Sequence, residues 1–233
     1  MSTYIIGDVH NALDKLNHLL DQISPSSEDH LYFLGDLFDR GGENPDPVGV
    51  YFKIGWLKTN VTWIRGNHEQ LLAEYIMDYY KTPEKKRWKL PPYEYNSFDI
   101  MAERFVEVDM LNLADRLMEL PLQVEISVGS EVYLLAHAMT SASSDEMDDD
   151  QHLNGCAHME DFFANGIKGY ISIVGHTDTA YMFRKYIGTY LDGESCSIWK
   201  NNKGNLYLLD CGSGAGSGKI ACMCLETGER YYA

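Results

Sequence analysis

The chain has 233 residues, 45% of them hydrophobic and 23% charged, and carries a net charge of −16 at neutral pH. That is long enough for one large core, and so strong an acidity argues against nucleic acid or an anionic membrane surface as a partner. No run of about 18 apolar residues offers a transmembrane helix, and "MSTYIIGDVH" lacks the basic and apolar regions of a signal peptide. The cysteines, Cys156, Cys196, Cys211, Cys222 and Cys224, are odd in number and form no CxxC. They read as reduced thiols of a cytoplasmic protein.

In chain order, "TYIIGD" is a short apolar run ending in Gly-Asp, which predicts a buried strand. "NALDKLNHLLDQIS" follows with Leu13, Leu16, Leu20 and Ile23 at helical spacing. "HLYFLGD" predicts a second strand, "DPVGVYFKIGWLK" a helix, and "VTWIRGNHE" a third strand. "EQLLAEYIMDYY" predicts a helix with an acid in its first turn, which suits the macrodipole. Strand-helix units in succession predict an α/β fold with parallel pairing.

From about 81 to 112 the sequence leaves the core. "KTPEKKRWKLPPYEYNSFD" is rich in Lys, Pro and aromatic residues without clean periodicity, and "IMAERFVEVDMLNLADRLMEL" returns as helix. This excursion is expected to be either a lid over the substrate or a surface element covering the core. The C-terminal half, with "LQVEISVGSEVYLLAHA", "YISIVGHT", "CSIWKNNKGNLYLLDCG" and "KIACMCLETGERYYA", predicts a second, largely antiparallel sheet. Cys222 and Cys224 alternate within it and are expected to share one face as core residues. "GSGAGSGK" lacks the spacing of a phosphate-binding loop.

The predicted strands end in polar residues: Asp8 and His10, then Asp36, Asp39 and Arg40, then Asn67, His68 and Glu69, then His137, then His176. In open α/β sheets, ligands bind outside the carboxyl ends of strands, so these side chains are expected on one rim. Oxygen and imidazole donors without cysteine suit Mn, Fe or Zn at a catalytic site. Asp8, His10, Asp36, Asn67, His137 and His176 are too many for one open ion and about right for two, with Asp36 as the bridge. The acids from Asp145 to Asp150 are expected on a solvated loop.

The ordered set "GDVH", "GDLFDRG", "GNHE", "AHA" and "GHT" resembles the calcineurin-like metallophosphoesterases, and more narrowly their bacterial and phage Ser/Thr protein phosphatases. The resemblance runs from Tyr4 to the end of the chain. It implies one domain over 1–233, with two sheets as a β-sandwich core flanked by helices in four αββα layers. It also implies two divalent ions, manganese first, with iron or zinc as alternatives. By position, Asp8, His10 and Asp36 would hold one ion, and Asp36, Asn67, His137 and His176 the other. His68, oriented by Asp39, would protonate the leaving oxygen as a metal-bound hydroxide attacks; Arg40 and Asn67 would bind the phosphate.

The substrate so implied is a phosphomonoester, phosphoserine or phosphothreonine in proteins. One alternative is a symmetrical dinucleoside tetraphosphate hydrolase, though such enzymes usually place Ala at position 39 and "GNHD" where this chain has "GNHE". Another is a non-catalytic binding module, which would have no use for a proton donor. Two departures stand out. Asn11 replaces the family's glycine and is expected to cap the first helix. No Arg lies between Ala138 and Gly175, so a second phosphate contact would fall to Lys168 or Arg184.

Overall fold

The computed structural model describes residues 1–143, 148–155, 159–184, 186–215 and 217–233, with the side chains of residues 183 and 184 excepted. The first half alternates strand and helix: β1 (Thr3–Ile6), α1 (Leu13–Ile23), β2 (His30–Phe33), α2 (Pro47–Gly55), β3 (Asn60–Trp63) and α3 (Asn67–Lys81). A 3-10 turn (Glu84–Lys89), α4 (Ser97–Ala102) and α5 (Glu107–Met118) follow. The second half holds β4 (Gln123–Val128), β5 (Glu131–Ala136), α6 (Asp149–Asn154), α7 (Met159–Asn165) and β6 (Ile171–Val174). After a 3-10 turn (Thr179–Arg184) come β7 (Gly188–Tyr190), β8 (Trp199–Asn201), β9 (Leu206–Leu208), β10 (Asp210–Cys211), β11 (Lys219–Cys224) and β12 (Arg230–Tyr232).

Two mixed sheets form, in the orders β10-β11-β1-β2-β3, with β12 on β11, and β4-β5-β6-β9-β8-β7. Alternation along β1 sets the layers: Tyr4 and Ile6 face the helices, while Ile5 packs in one cluster with Leu135 and Ile173 of the second sheet. Beyond that sheet, Val174, Leu206 and Leu208 pack with Phe162 and Phe163 of α7. The result is the four-layer αββα sandwich that the sequence implies. Cys222 and Cys224 share the helix-facing core with Ile220. No helix among the described residues is long and apolar enough to cross a membrane.

Three expectations need correction. β11 and β12, expected in the second sheet, lie in the first, where β11 pairs with β1 and β12. The second sheet is not largely antiparallel at its centre, because β5-β6 and β6-β9 are parallel pairs. The crossover from β5 to β6 carries α6 and α7, and at six and seven residues these helices are too short to show a period. Part of the acidic run is not loop: Asp148 accepts from Gln151 N at 2.9 Å and opens α6. Residues 145–147 lie outside the described residues.

The excursion is pinned to the core. Arg87 donates from Nε to the carbonyls of Tyr79 (3.1 Å) and Thr82 (3.2 Å), and its guanidinium lies over the Tyr79 ring.

At the opposite margin, buried Asp29 accepts from Ser2 N (2.6 Å), Ser26 N (2.8 Å) and Ser26 Oγ (2.8 Å). The Ser26 amide, with the other donors, holds its carboxyl below the ordinary value of 3.8. A depressed folded-state pKa contributes stability above the unfolded value, and that stability is lost as pH falls through the folded one. Asp29→Asn is therefore expected to lower the urea midpoint at about pH 6, with the gap to wild type closing toward about pH 3. Parallel acid limbs for the two proteins would contradict this.

Candidate metal centre

The carboxyl ends of β1, β2, β3, β5 and β6 deliver their polar residues to one place. Glycine permits the approach at two points. Gly35 has φ +98°, and a Cβ at Gly66 would meet Asp36 Oδ1 at 2.3 Å. Among the described residues, the non-glycine positions with positive φ are His10, Asn11, Asp36, Asp39, Arg40 and His176, all at this rim, and Ser24 at the end of α1. Each such position costs about 1–3 kcal/mol and persists where its surroundings overdetermine it.

Asp36 is the hub. Its carboxylate lies 3.7 Å from His10 Nε2, 3.9 Å from His68 Nε2 and 3.3 Å from His137 Nε2. Asn67 Oδ1 is 2.9 Å from His137 Nε2 and 3.2 Å from His176 Nδ1. Asp8 stands at the edge, 3.9 Å from His10 Nε2, with its oxygens 3.2 and 3.3 Å from His176 N. The structure thus brings together all six side chains named from the sequence as ligands.

The donor set fits divalent cations. His10 Nδ1 sits 3.0 Å from Phe38 O and His137 Nδ1 2.9 Å from Leu34 O, so each ring is anchored outward and turns Nε2 toward Asp36. That outer hydrogen bond is the usual device for fixing the tautomer of a metal-ligating histidine. With its oxygen inward, Asn67 faces other electron-rich atoms; a turned amide would donate to His137, His176 and Asp36 instead. Oxygen and nitrogen donors to a metal converging in this way are a set that a bound cation can reconcile.

Protonation divides the ligand set. Burial pushes His10 down to about 4, and burial with the neighbouring His137 pushes His176 down to about 4, leaving both imidazoles neutral. Burial also opposes charge on His137, but Asp36 overcomes it and lifts His137 to about 10, so a cation held there would take the place of its Nε2 proton. Against its own burial, Asp36 is held well below the carboxylate range by His137 and its neighbours. Burial and Asp210 push Asp8 upward.

His68 and Asp39 form a separate pair. Both are fully buried, with Nδ1 2.8 Å from Oδ2. Burial works against charge on the ring, yet the Asp39 hydrogen bond and Asp36 raise its pKa. His68 Nε2 is buried and has no hydrogen-bond partner. Arg40 is exposed, its Nη1 3.5 Å from His10 Nε2, on the wall of a cavity of about 480 Å³ that also borders His176, Tyr181 and Asp210.

The Asn11 and Lys168 readings do not hold. Asn11 does not cap α1; the helix begins after Ala12 with no side-chain cap. At φ +58° Asn11 turns away and donates to Asn96 Oδ1 (3.1 Å) and Ser97 Oγ (3.0 Å). Lys168 is exposed and does not border the cavity, and the Arg184 side chain is outside the described residues.

Tyr93 and Ser97 were not foreseen, and Glu69, expected at the rim, joins its loops rather than serving as a ligand. Glu69 is buried and accepts from the amides of Asp36 (2.7 Å), Leu37 (2.8 Å) and Gly66 (2.8 Å), with burial and then Asp36 pushing it up to about 7. Its sequence signal is the last letter of "GNHE", read as a first-turn acid. Tyr93 and Ser97 reach Asp39 from the excursion and carry no local signal.

A family model described as Calcineurin-like phosphoesterase matches residues 1–209. Symmetrical bis(5'-nucleosyl)-tetraphosphatases of Buchnera aphidicola subsp. Baizongia pistaciae and Pectobacterium atrosepticum are 40% and 44% identical over 77 residues, 32% of this chain. The match spans only 27% and 26% of the length of those relatives. Among solved structures, a protein proposed to be a diadenosine tetraphosphatase aligns with TM-score 0.64 and 17% identity over 100% of this chain and 92% of its own. A protein serine/threonine phosphatase of Saccharomyces cerevisiae aligns with TM-score 0.60 and 18% identity over 100% and 80%. At these identities what is shared is the fold.

Proposed function

The chain belongs to the calcineurin-like phosphoesterases, and from that premise we propose that it hydrolyses phosphoric esters at the Asp36-centred rim with divalent metal ions. The observation that carries this reading is His68: its Nδ1 is fixed on buried Asp39, and its free Nε2 is aimed at the Asp36 cluster. Asp8, His10 and Asp36 would hold one cation, and Asp36, Asn67, His137 and His176 the other. Bound there, divalent cations supply an acidified water and neutralise phosphate charge, with manganese, iron and zinc all suited to these donors.

The chain's own groups do the rest. Arg40 presents a planar fork matched to phosphate oxygens. His68 gives its Nε2 proton to the leaving oxygen, and Asp39 keeps Nδ1 as the donor toward itself. Losing one charge-assisted hydrogen bond to phosphate removes about 1.5–3 kcal/mol, so Arg40→Ala is expected to lower kcat/KM by about 10- to 100-fold. An Arg40→Ala enzyme with wild-type kcat/KM would remove the clamp.

For the substrate, the curated relatives favour symmetrical cleavage of dinucleoside tetraphosphates. Tyr181, 75% exposed beside Arg40 on the cavity wall, offers a face on which a base can stack. A second reading, phosphoserine or phosphothreonine, is favoured by the Asp39–His68 pair, because an alkoxide needs a proton to leave far more than a nucleotide phosphate does. Manganese-loaded protein given diadenosine tetraphosphate and phosphopeptides side by side separates them. ADP release with idle phosphopeptides supports the first, and the converse supports the second. No hydrolysis of either, with no bound metal, would defeat both.

A further inference from the structure

The aromatic excursion enters the site at one atom. Tyr93 donates its hydroxyl to Asp39 Oδ2 at 2.6 Å, the same oxygen that faces His68 Nδ1 at 2.8 Å. The other carboxylate oxygen accepts from Ser97 N at 3.1 Å, and Ser97 Oγ accepts from Asp39 N at 2.7 Å. Asp39 is fully buried, sits at φ +66°, and draws these contacts from residues 54 and 58 positions away. Tyr95, two residues beyond Tyr93, places its ring 4.5 Å from the His68 ring, edge to face.

A buried carboxylate needs a partner at each oxygen. Ser97 fixes one, and His68 alone would leave the other free to swing with the ring. We infer that Tyr93 is a positioning residue: its hydroxyl clamps Asp39 against His68, so that Nε2 stays aimed at the oxygen leaving phosphorus. The inference rests on His68 being the proton donor, as proposed above. In the step it serves, water oxygen forms the new bond to phosphorus and the ester P–O bond breaks. The leaving oxygen keeps the electron pair and takes the His68 Nε2 proton; the proton shed by the attacking water restores the balance. Hydrogen bonding from Tyr93 also fixes the Asp39 oxygen that orients the ring. Burial, and then Asp39 itself, push the Tyr93 hydroxyl upward, so it remains a donor.

The need for a donated proton grows with the basicity of the leaving group, which gives a readout that general loosening does not share. Manganese-loaded wild type, Tyr93→Phe and His68→Asn are compared on p-nitrophenyl phosphate, whose phenolate leaves readily, and phenyl phosphate, whose phenolate does not. Phe retains the ring packing on Tyr75 and Tyr95. For Tyr93→Phe, kcat on phenyl phosphate is expected to fall about 10-fold, and on p-nitrophenyl phosphate by less than about 3-fold, with KM and manganese content unchanged. Equal losses on both esters, or no loss on phenyl phosphate, would overturn the positioning role. His68→Asn selective for phenyl phosphate while Tyr93→Phe is not would sink Tyr93 alone. Equal losses in His68→Asn would sink the proton donor and the inference with it.

Discussion

Asp36→Asn is expected to abolish tight binding of both cations and to lower kcat by more than about 100-fold. That factor is the upper end of what removing a mere outer-shell partner does. Asp36 faces three imidazoles, with His137 and His10 on opposite halves of the proposed ligand set. An amide keeps the shape but removes the charge that draws cations into a chain whose donors here are otherwise largely neutral imidazoles, an amide and the edge carboxylate Asp8. The fold is expected to survive, because the loop around Asp36 is held by its backbone. Asp36 N and Leu37 N lie on Glu69, and Asp36 O accepts from Val9 N and His10 N. Calorimetric titration with manganese on folded Asp36→Asn is the measurement. Wild-type stoichiometry and affinity would mean that Asp36 bridges nothing.

The same geometry explains why so much of this rim was legible in the sequence. A polar residue that ends an apolar run, after glycine in four cases and after alanine at His137, has few places to be except a strand tip, and five such tips in one α/β chain converge. What could not be read there depends on contacts made across the fold. Tyr93 and Ser97 reach Asp39 over 54 and 58 residues, from a stretch with no periodicity to place it. Glu69 was visible as a strand-end polar residue but not as a brace between loops, because its three amide partners come from two separate loops. Asn11 has the side chain of a helix cap, but the turn that brings His10 to Asp36 places both residues at positive φ and spends that amide on the excursion. The second sheet was misjudged for a related reason. Its parallel centre depends on a crossover whose helices are too short to announce themselves, whereas its antiparallel margins are joined by glycine-bearing turns that sequence displays.

His68→Asn carries the second large effect, and it decides between two uses of one nitrogen. The Nε2 atom lies near enough to Asp36 and His10 to serve as a further cation ligand. It is also the atom that a proton donor would present, buried and without a partner. The outer hydrogen bonds favour the second use. His10 and His137 rest Nδ1 on neutral backbone carbonyls, whereas His68 rests Nδ1 on a carboxylate that is itself clamped by Tyr93 and Ser97. A carboxylate clamped in this way suits an imidazolium that gives up its Nε2 proton, and the manganese content of a variant decides whether His68 does so. His68→Asn is therefore expected to lower kcat by about 10²- to 10⁴-fold, the usual share of general acid catalysis, while manganese stoichiometry and KM stay near wild type. If His68→Asn instead loses bound manganese in proportion to its activity, His68 is a ligand and the proton must come from elsewhere.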